Sequence, residues 1–194
     1  LGLVALGDPT TLNQETLAVV GSRNPSHWTL QWMQDHLSHF IDAERLPIVS
    51  GGARGVDQMA HKISIAKSCP KICFLPSGFQ KVYPPGFSRL IEYFQNKNSV
   101  VVSQFSPFQP IFKSQFSARN ELMAVLAKAV FVVEARQKSG SMLTAKLAQF
   151  HNKHILTLPF HPGSKIGQGN LDLIFNGALI IRDSRDLIET WQQL

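Results

Sequence analysis

Short apolar runs that alternate with helical periods constrain the fold of this chain more than any other feature. The runs are almost continuously apolar, which is typical of strands buried on both faces. They predict strands at Leu17–Val20, Ile48–Ser50, Ile72–Leu75, Val100–Ser103, Val130–Val133 and Ile155–Leu158. Between the runs, apolar residues recur at helical spacing, as at Leu30, Met33 and Leu37. Strands and helices in this order predict an α/β, doubly wound, mostly parallel sheet with helices on both faces.

The two ends of the chain flank this alternation. After the last run the pattern predicts a loop, a short helix, a strand and a closing helix, at His161–Gly169, Leu171–Phe175, Leu179–Ile181 and Leu187–Leu194. Gly2–Leu6 fits either an edge strand or the stub of a preceding domain. The 194 residues are 44% hydrophobic and 16% charged, so we expect one domain over residues 1–194, with 1–16 as edge strand or linker.

Composition narrows the classes of function. Lys and Arg number 19 against 13 Asp and Glu, a net charge of +6 that favours acidic partners such as nucleic acid. Cys69 and Cys73 support neither a disulfide framework nor a zinc site, so we expect a reducing cytoplasm. The apolar runs are far shorter than the roughly 20 residues that span a bilayer, and we expect no membrane partner.

Eight basic residues share one position in the pattern, because each lies in a segment that follows a predicted strand. They are Arg23, Arg54, Lys81, Lys113, Arg119, Arg136, Lys138 and Lys165. The carboxyl ends of parallel strands meet at one rim, where such sheets bind ligands. Helix N-termini add free N–H groups at the same rim, so the pattern predicts a phosphate-bearing ligand.

Two glycine-containing turns follow the first two strands. Gly21-Ser22-Arg23 lacks the third glycine of the dinucleotide fingerprint, which disfavours a classical NAD site; a plain turn into a helix near Ser26 fits equally well. The second turn is richer and comprises Ser50, Gly51, Gly52, Ala53, Arg54 and Gly55, with Val56 and Asp57 after it. Its glycines favour close approach of a phosphate over a purely structural turn. We expect Asp57 to cap the helix or orient Arg54.

Two further polar groups lie beside predicted helix starts. Lys138, Ser139, Gly140 and Ser141 precede a helical period, where either serine could cap the helix and bind a phosphate oxygen. Arg119-Asn120 is predicted to open another helix, as a base-edge contact or as a simple polar pair.

Aromatic residues of the rim segments are candidates for stacking on bases, although most Phe residues in such a chain belong to the core. The candidates are Phe79, Tyr83, Phe87, Phe105, Phe108, Phe112 and Phe116, of which we expect one or two to stack. The sequence contains no recognisable nucleophile–base pair, metal cluster or paired carboxylates, so we expect neither an enzyme nor a cofactor.

The motifs, in their order and spacing, resemble those of the DNA-processing protein A family, also called Smf. The resemblance spans about Leu17 to Ile181. It rests on Val19–Arg23, Ser50–Asp57 with His61, Leu75–Gly78 with Tyr83-Pro84, Phe116 with Arg119-Asn120, Val133–Ala135, Ser139–Ser141 with Thr144-Ala145, and Gly169-Asn170 with Gly177-Ala178. It implies an extended Rossmann-like core that needs no nucleotide cofactor.

The resemblance also implies a function, which is to bind single-stranded DNA and help to load the RecA recombinase during natural transformation. The implied DNA pocket contains Gly21, Ser22, Arg23, Ser50 to Arg54, Arg119, Asn120 and Lys138 to Ser141. A homodimer is implied through the region Leu171–Ile181. Many members of the family carry a helical domain before the core and a winged-helix-like domain after it, and neither occurs in these residues.

Two positions depart from the family pattern, and one other class remains open. Glu121 stands where a second basic residue is usual, and Gln104 where a glutamate is common. The alternative is a nucleotide-binding protein or a phosphoribohydrolase that acts on nucleoside monophosphates. That class has a Pro-Gly-Gly-x-Gly-Thr-x-x-Glu pattern after a late strand, whereas Glu134–Ser141 lacks its catalytic glutamate in the helix.

Overall fold

In the computed structural model, which describes residues 2–94 and 98–194, the strands form a single mixed sheet. The described strands are β1 (Val4–Gly7), β2 (Leu17–Val20), β3 (Ile48–Ser50), β4 (Lys71–Phe74), β5 (Ser99–Ser103), β6 (Ala129–Val132), β7 (His154–Thr157) and β8 (Leu179–Ile180). Their order across the sheet is β1-β5-β4-β3-β2-β6-β7-β8. All neighbouring pairs are parallel except β1–β5, and β2 lies where the chain reverses its direction of winding.

The helices connect the strands and cover both faces of the sheet. They are α1 (His27–Trp32), α2 (Ser38–Glu44), α3 (Val56–Ala66), α4 (Ser88–Ile91), α5 (Lys113–Leu126), α6 (Gly140–Phe150), α7 (Gln168–Phe175) and α8 (Ser184–Gln193). A π-helical turn at Met33–Leu37 joins α1 to α2. As predicted, α1 opens at Ser26, whose hydroxyl accepts a hydrogen bond from the Thr29 amide at 3.2 Å.

Alternate side chains of β2 face two different cores, because successive strand residues point to opposite sides of a sheet. Leu17 and Val19 pack under α1, α2, α3 and α8, whereas Ala18 and Val20 pack under α5, α6 and α7. Every residue of β2, β3 and β4 is buried, which agrees with the near-continuous apolar runs of the sequence. The predicted fold class, an extended Rossmann-like sheet with helices on both faces, is confirmed.

The sheet has two different edges. At one edge, β1 pairs antiparallel with β5, so Val4–Gly7 forms the edge strand that was one of the two expectations for this segment. At the other edge, the short strand β8 pairs parallel with β7 and both of its residues are exposed. None of the helices within the described residues is both long and apolar enough to cross a membrane.

Two predictions about helices are wrong in detail. Arg119 and Asn120 lie in the middle of α5, which begins six residues earlier at Lys113. The apolar pattern missed the true start of α5 because Phe112–Phe116 contains few apolar positions at helical spacing. In the structure, Gln115 accepts a hydrogen bond from the Phe112 amide at 2.6 Å and completes a cap at this start. The helical period at Leu90–Phe94 yields only the short helix α4 and one 3₁₀ turn.

Candidate functional site

Two adjoining pockets open at the carboxyl ends of the parallel strands. The inner pocket, of about 310 Å³, lies between the segments that follow β2 and β6 and the helix α5. The outer pocket, of about 550 Å³, is bounded by Arg54, Pro76 and Tyr83 on the side of β3 and β4. The two pockets share four lining residues, Arg23, Ala53, Phe116 and Arg119, so they form a single two-part site.

Most residues of the predicted phosphate site line this two-part site. The predicted residues that line the inner pocket are Gly21, Ser22, Arg23, Ala53, Arg119, Asn120, Lys138, Ser139, Gly140 and Ser141. Those that line the outer pocket are Arg23, Gly51, Ala53, Arg54 and Arg119. Ser50 and Gly52 line neither pocket. The Ser50 hydroxyl is fully buried and donates to the Val19 carbonyl at 2.7 Å, while Gly52 packs against the ring of Phe87.

Five cations at the rim of the pockets are exposed and carry no ion pair with any carboxylate in residues 2–94 and 98–194. They are Arg23, Arg54, Lys113, Arg136 and Lys138. Because no protein carboxylate neutralises them, their charge is available to a ligand. A cluster of like charge around a concave site focuses the field and attracts anions.

Arg119 differs from these five because it is only 4% exposed. Its Nη1 lies 4.0 Å from a carboxylate oxygen of Asp57 and donates to the Phe74 carbonyl at 3.4 Å. The same nitrogen occupies the space that a side chain at position 51 would need, which explains the glycine there. Arg119 therefore forms the floor between the pockets and holds the Gly51–Arg54 loop from below.

Asp57 supports the same loop from the first turn of α3. Its carboxylate accepts a hydrogen bond from the Ala53 amide at 3.3 Å and pairs with Arg119, so it holds the loop but, contrary to expectation, neither caps the helix nor pairs with Arg54. Burial raises the pKa of Asp57, and the nearby Arg119 offsets only part of that rise. The pair is thus a buried structural element under the pockets.

The N-terminus of α6 forms one wall of the inner pocket. Ser139 caps the helix, since its hydroxyl accepts a hydrogen bond from the Met142 amide at 3.4 Å. The amide side chain of Asn120 donates to the Gly140 carbonyl at 3.4 Å and ties α5 to this wall. Free N–H groups and the positive end of the helix dipole at such a terminus favour an anion.

A buried network positions the turn between β6 and α6. Asn170 accepts a hydrogen bond from the Ala135 amide at 2.8 Å and donates to the Val132 and Val133 carbonyls at 3.1 Å. Glu134 is 1% exposed and accepts hydrogen bonds from Ser26 and Thr29 at the start of α1. The motif residues Glu134 and Asn170 therefore serve the geometry of the rim.

Two of the candidate aromatic residues reach the site. The Phe116 ring separates the two pockets; the Arg23 guanidinium carbon lies 5.6 Å from its centroid, and the Tyr83 ring lies against it at 5.6 Å between centroids. Of the other candidates, Phe87 is fully buried, while Phe108 and Phe112 are exposed outside both pockets. Phe116 and Tyr83 are the aromatic side chains positioned to contact a planar ligand group.

Several lining residues were absent from the predicted phosphate site. Lys113, Phe116, Ser117 and Arg136 all line the inner pocket. Once α5 is known to start at Lys113, the spacing of Lys113, Phe116 and Asn120 places them on one face, and this signal could have found them. Glu121, the first departure from the family pattern, faces away and contacts His151 at 3.2 Å.

A mostly parallel α/β sheet with a glycine loop and a cationic two-part pocket at its carboxyl rim defines a Rossmann-like protein with a candidate ligand site at that rim. The chain matches the family model of DNA recombination-mediator protein A over residues 1–192, and it belongs to that family. The predicted relationship to DNA-processing protein A and Smf is thus confirmed.

Individual relatives agree with this assignment. DNA processing protein DprA of Bacillus subtilis is 32% identical over 188 residues, which cover 96% of this chain and 63% of the relative. The X-ray structure of DprA from Streptococcus pneumoniae superposes with a TM-score of 0.89 at 29% identity, covering 96% of this chain and 65% of that chain.

A second solved structure concerns the single-stranded DNA binding mode of DNA processing protein A from Helicobacter pylori. It superposes with a TM-score of 0.85 at 29% identity and covers 98% of this chain and 86% of that chain. The chain spans 43%, 50% and 63% of the lengths of its curated relatives from Synechocystis, Escherichia coli and Bacillus subtilis. It thus corresponds to about half of such a protein.

Proposed function

We propose that this chain binds single-stranded DNA in the two-part site and, within a DNA recombination mediator, helps to load the RecA recombinase during natural transformation. The observation that carries the proposal is the convergence of four of the unpaired cations and the N-terminus of α6 on the inner pocket, with the fifth, Arg54, in the outer pocket. The family of the chain and the single-stranded DNA binding of the Helicobacter pylori protein point the same way.

The roles of the residues follow from their charge and exposure. Arg23, Arg136 and Lys138 neutralise successive phosphates, and the α6 terminus holds one of them through backbone N–H groups. The Phe116 ring offers a face on which an unstacked base can lie. A duplex keeps its bases stacked inside, so it can use the phosphate contacts but not the aromatic ones. Single strands are therefore the preferred ligand.

A binding role is preferred to the phosphoribohydrolase alternative because the carboxylates nearest the pockets are already engaged. Asp57 is 5% exposed and pairs with Arg119, while Glu134 is 1% exposed and holds the start of α1. A general acid or base must reach its substrate within hydrogen-bonding distance. Incubation with nucleoside monophosphates tests this point, and release of free base would favour the enzyme.

A salt titration of oligonucleotide binding tests the main proposal. Single-stranded and duplex oligonucleotides of equal length are compared, and we expect tighter binding of the single strand and an affinity that falls linearly with salt on logarithmic axes. Lys138→Ala should reduce the salt slope by about 1. Lys146→Ala, an exposed lysine on the same helix outside both pockets, is the matched control. Equal affinity for the two forms of DNA contradicts the proposal.

We also propose a homodimer through the late segment. Phe175 is 92% exposed and the edge strand residues Leu179 and Ile180 are 38% and 47% exposed, so α8 leaves part of this apolar surface uncovered. Exposed apolar edges of this kind are normally covered by a partner, and a two-fold axis is the commonest way to do so. Light scattering should give a dimer mass for the protein and a monomer mass for Phe175→Asp.

The proposed cellular location is the cytoplasm. Cys69 and Cys73 are both buried free thiols, a state that a reducing compartment maintains.

Co-sedimentation of RecA with the protein on a single-stranded oligonucleotide tests the proposed role in loading RecA. No RecA retained above the level of the bare oligonucleotide would contradict a loading role.

A further inference from the structure

Trp28 is a large aromatic side chain left in solvent. It lies in the first turn of α1 and is 50% exposed, whereas the other two tryptophans, Trp32 and Trp191, are 6% and 5% exposed. Trp is mostly buried in folded proteins. An exposed Trp near a ligand site is therefore a candidate contact for a partner.

Trp28 belongs to a fixed pair of rings. The Phe160 ring meets it edge-on, with centroids 5.3 Å apart and planes at 75°. Phe160 follows β7 and packs on the core beneath α1, and Gly167 leaves room for its ring because a side chain there would overlap it. Since α1 follows β2 and Phe160 follows β7, the pair lies at the carboxyl rim of the sheet.

The ring pair is attached to the wall of the inner pocket. Glu134 accepts hydrogen bonds from the Ser26 amide at 2.9 Å and the Thr29 hydroxyl at 2.7 Å, and these residues flank Trp28. Arg136, two residues beyond Glu134, lines the inner pocket. Arg23 lines it too and precedes Trp28 by five residues, so their Cα atoms are at most about 18 Å apart.

The segments around the ring pair carry exposed positive charge. Residues 21–28, 134–141 and 159–168 contain the cations Arg23, Arg136, Lys138 and Lys165, and all four are exposed. Their one carboxylate, Glu134, is 1% exposed and engaged with α1. Within these three segments no exposed carboxylate opposes a polyanion, and the neighbouring Asp172 accepts a hydrogen bond from Gln137 at 3.4 Å. Rings among cations are typical of surfaces that stack unpaired bases.

We propose that Trp28 and Phe160 form a second stacking platform for bases of the single strand that leaves the inner pocket. The inference rests on the proposed function, and it extends the binding site from the pockets over the rim to α1. Its occupant is a single-stranded nucleic acid long enough to reach both places. Domains that bind single strands typically cover about 4 to 16 nucleotides, which sets the range to test.

Tryptophan emission provides a direct measurement, because Trp28 is the exposed member of the three tryptophans. The protein is titrated with oligothymidylates of about 4 and about 16 nucleotides. We expect the longer strand to quench the emission and the shorter one to leave it nearly unchanged. The quenching should vanish in Trp28→Leu.

Affinities supply the second measurement. Trp28→Leu should weaken binding of the longer strand about fivefold or more and leave the shorter strand unaffected, since one stacking contact is lost. Trp28→Tyr keeps an aromatic face and should restore most of the affinity. Phe150→Ala is the matched control, because Phe150 is 79% exposed but ends α6 at the opposite rim.

The outcomes separate this inference from the proposed function. The platform is overturned if the emission stays unchanged and Trp28→Leu binds the longer strand with unchanged affinity. If Lys138→Ala binds that strand more weakly in the same experiment, the proposed function still stands. An equal loss for short and long strands also overturns the platform, because Trp28 would then act through the inner pocket. Failure of the unmodified protein to bind either strand overturns both.

Discussion

Within the described residues, the cations of the two-part site lack carboxylate partners, whereas three cations at the opposite rim of the sheet have them. At the amino-terminal ends of the strands, Arg45 and Lys67 pair with Asp42 at 3.5 and 3.2 Å, and Lys128 pairs with Glu15 at 2.9 Å. At the carboxyl-terminal ends, the exposed cations of the two-part site have no carboxylate partner in the described parts of the chain.

This difference shows where the net charge of +6 acts. Paired surface ions contribute little to folding and little to the field, because each cancels its neighbour. Unpaired cations repel one another and give no benefit to the folded chain by themselves, so their clustering supports the proposed anionic ligand. Two carboxylates close to the two-part site, Asp57 and Glu134, are buried, and they hold the segments of the carboxyl rim in place.

The largest effect should come from breaking the buried pair beneath the carboxyl rim. Asp57→Ala leaves the Arg119 guanidinium buried without its carboxylate and should lower the free energy of unfolding by about 3–5 kcal/mol. Denaturant unfolding measures this. Asp57→Asn, which retains an acceptor for the Ala53 amide, is the control and should lose less. A loss below 1 kcal/mol for Asp57→Ala would show that the pair is not structural.

The second prediction compares Arg54, which lines the outer pocket, with two arginines outside both pockets. Arg54→Ala should weaken binding of a single-stranded oligonucleotide by about 1.5–3 kcal/mol, because a charge-assisted phosphate contact is lost. Arg45→Ala, at the opposite rim, and Arg185→Ala, on α8, should change it little. Fluorescence anisotropy at fixed salt measures all three. Equal losses would mean that only net charge matters and that the two rims do not differ.

The third prediction concerns the interior between the rims. His61 is fully buried, and burial together with Lys71 and Arg119 lowers its pKa to about 3. The unfolded state, with a pKa near 6.5, binds more protons between pH 6.5 and 3, so stability falls as pH falls through this window. We expect a contribution of about 1.4 kcal/mol for each pH unit.

Unfolding curves of the protein and of His61→Leu across this pH range isolate that contribution. The difference between their unfolding free energies should change with pH, because the variant has no group to titrate at this position. Parallel curves would show that His61 accepts a proton in the folded state as readily as in the unfolded one. The buried site of His61 would then accept a charged imidazole as readily as the exposed rims accept charged side chains.

The smallest effect should come from the amino-terminal rim. Asp42→Ala removes the partner of Arg45 and Lys67, both at the surface, and should lower the free energy of unfolding by less than about 1 kcal/mol. Its affinity for a single-stranded oligonucleotide should stay within a factor of about two of the unmodified protein. A marked gain in affinity would show that freed cations anywhere on the surface suffice, which contradicts the contrast between the rims.

The strands and the glycine-containing turns could be predicted from the sequence because each depends on the spacing of residues close together in the chain. The apolar runs predicted β2 to β7 to within one or two residues, a helix start near Ser26 was predicted, and the cap Ser139 was one of two candidate serines. Gly51 was also found, but for a different reason: the Arg119 guanidinium fills the place of its side chain. That contact joins residues 68 positions apart, and no local pattern encodes it.

The sequence by itself determined the layered sheet and the clustering of basic segments at one rim, because parallel strands bring their carboxyl ends together whatever the loops contain. Tertiary structure alone decided which members of those segments face the two-part site. It buried Arg119 under the pockets, turned Ser50 toward Val19 and exposed Trp28 beside Phe160. These outcomes depend on how separate helices pack over the sheet, and such long-range contacts leave no periodic trace in the chain.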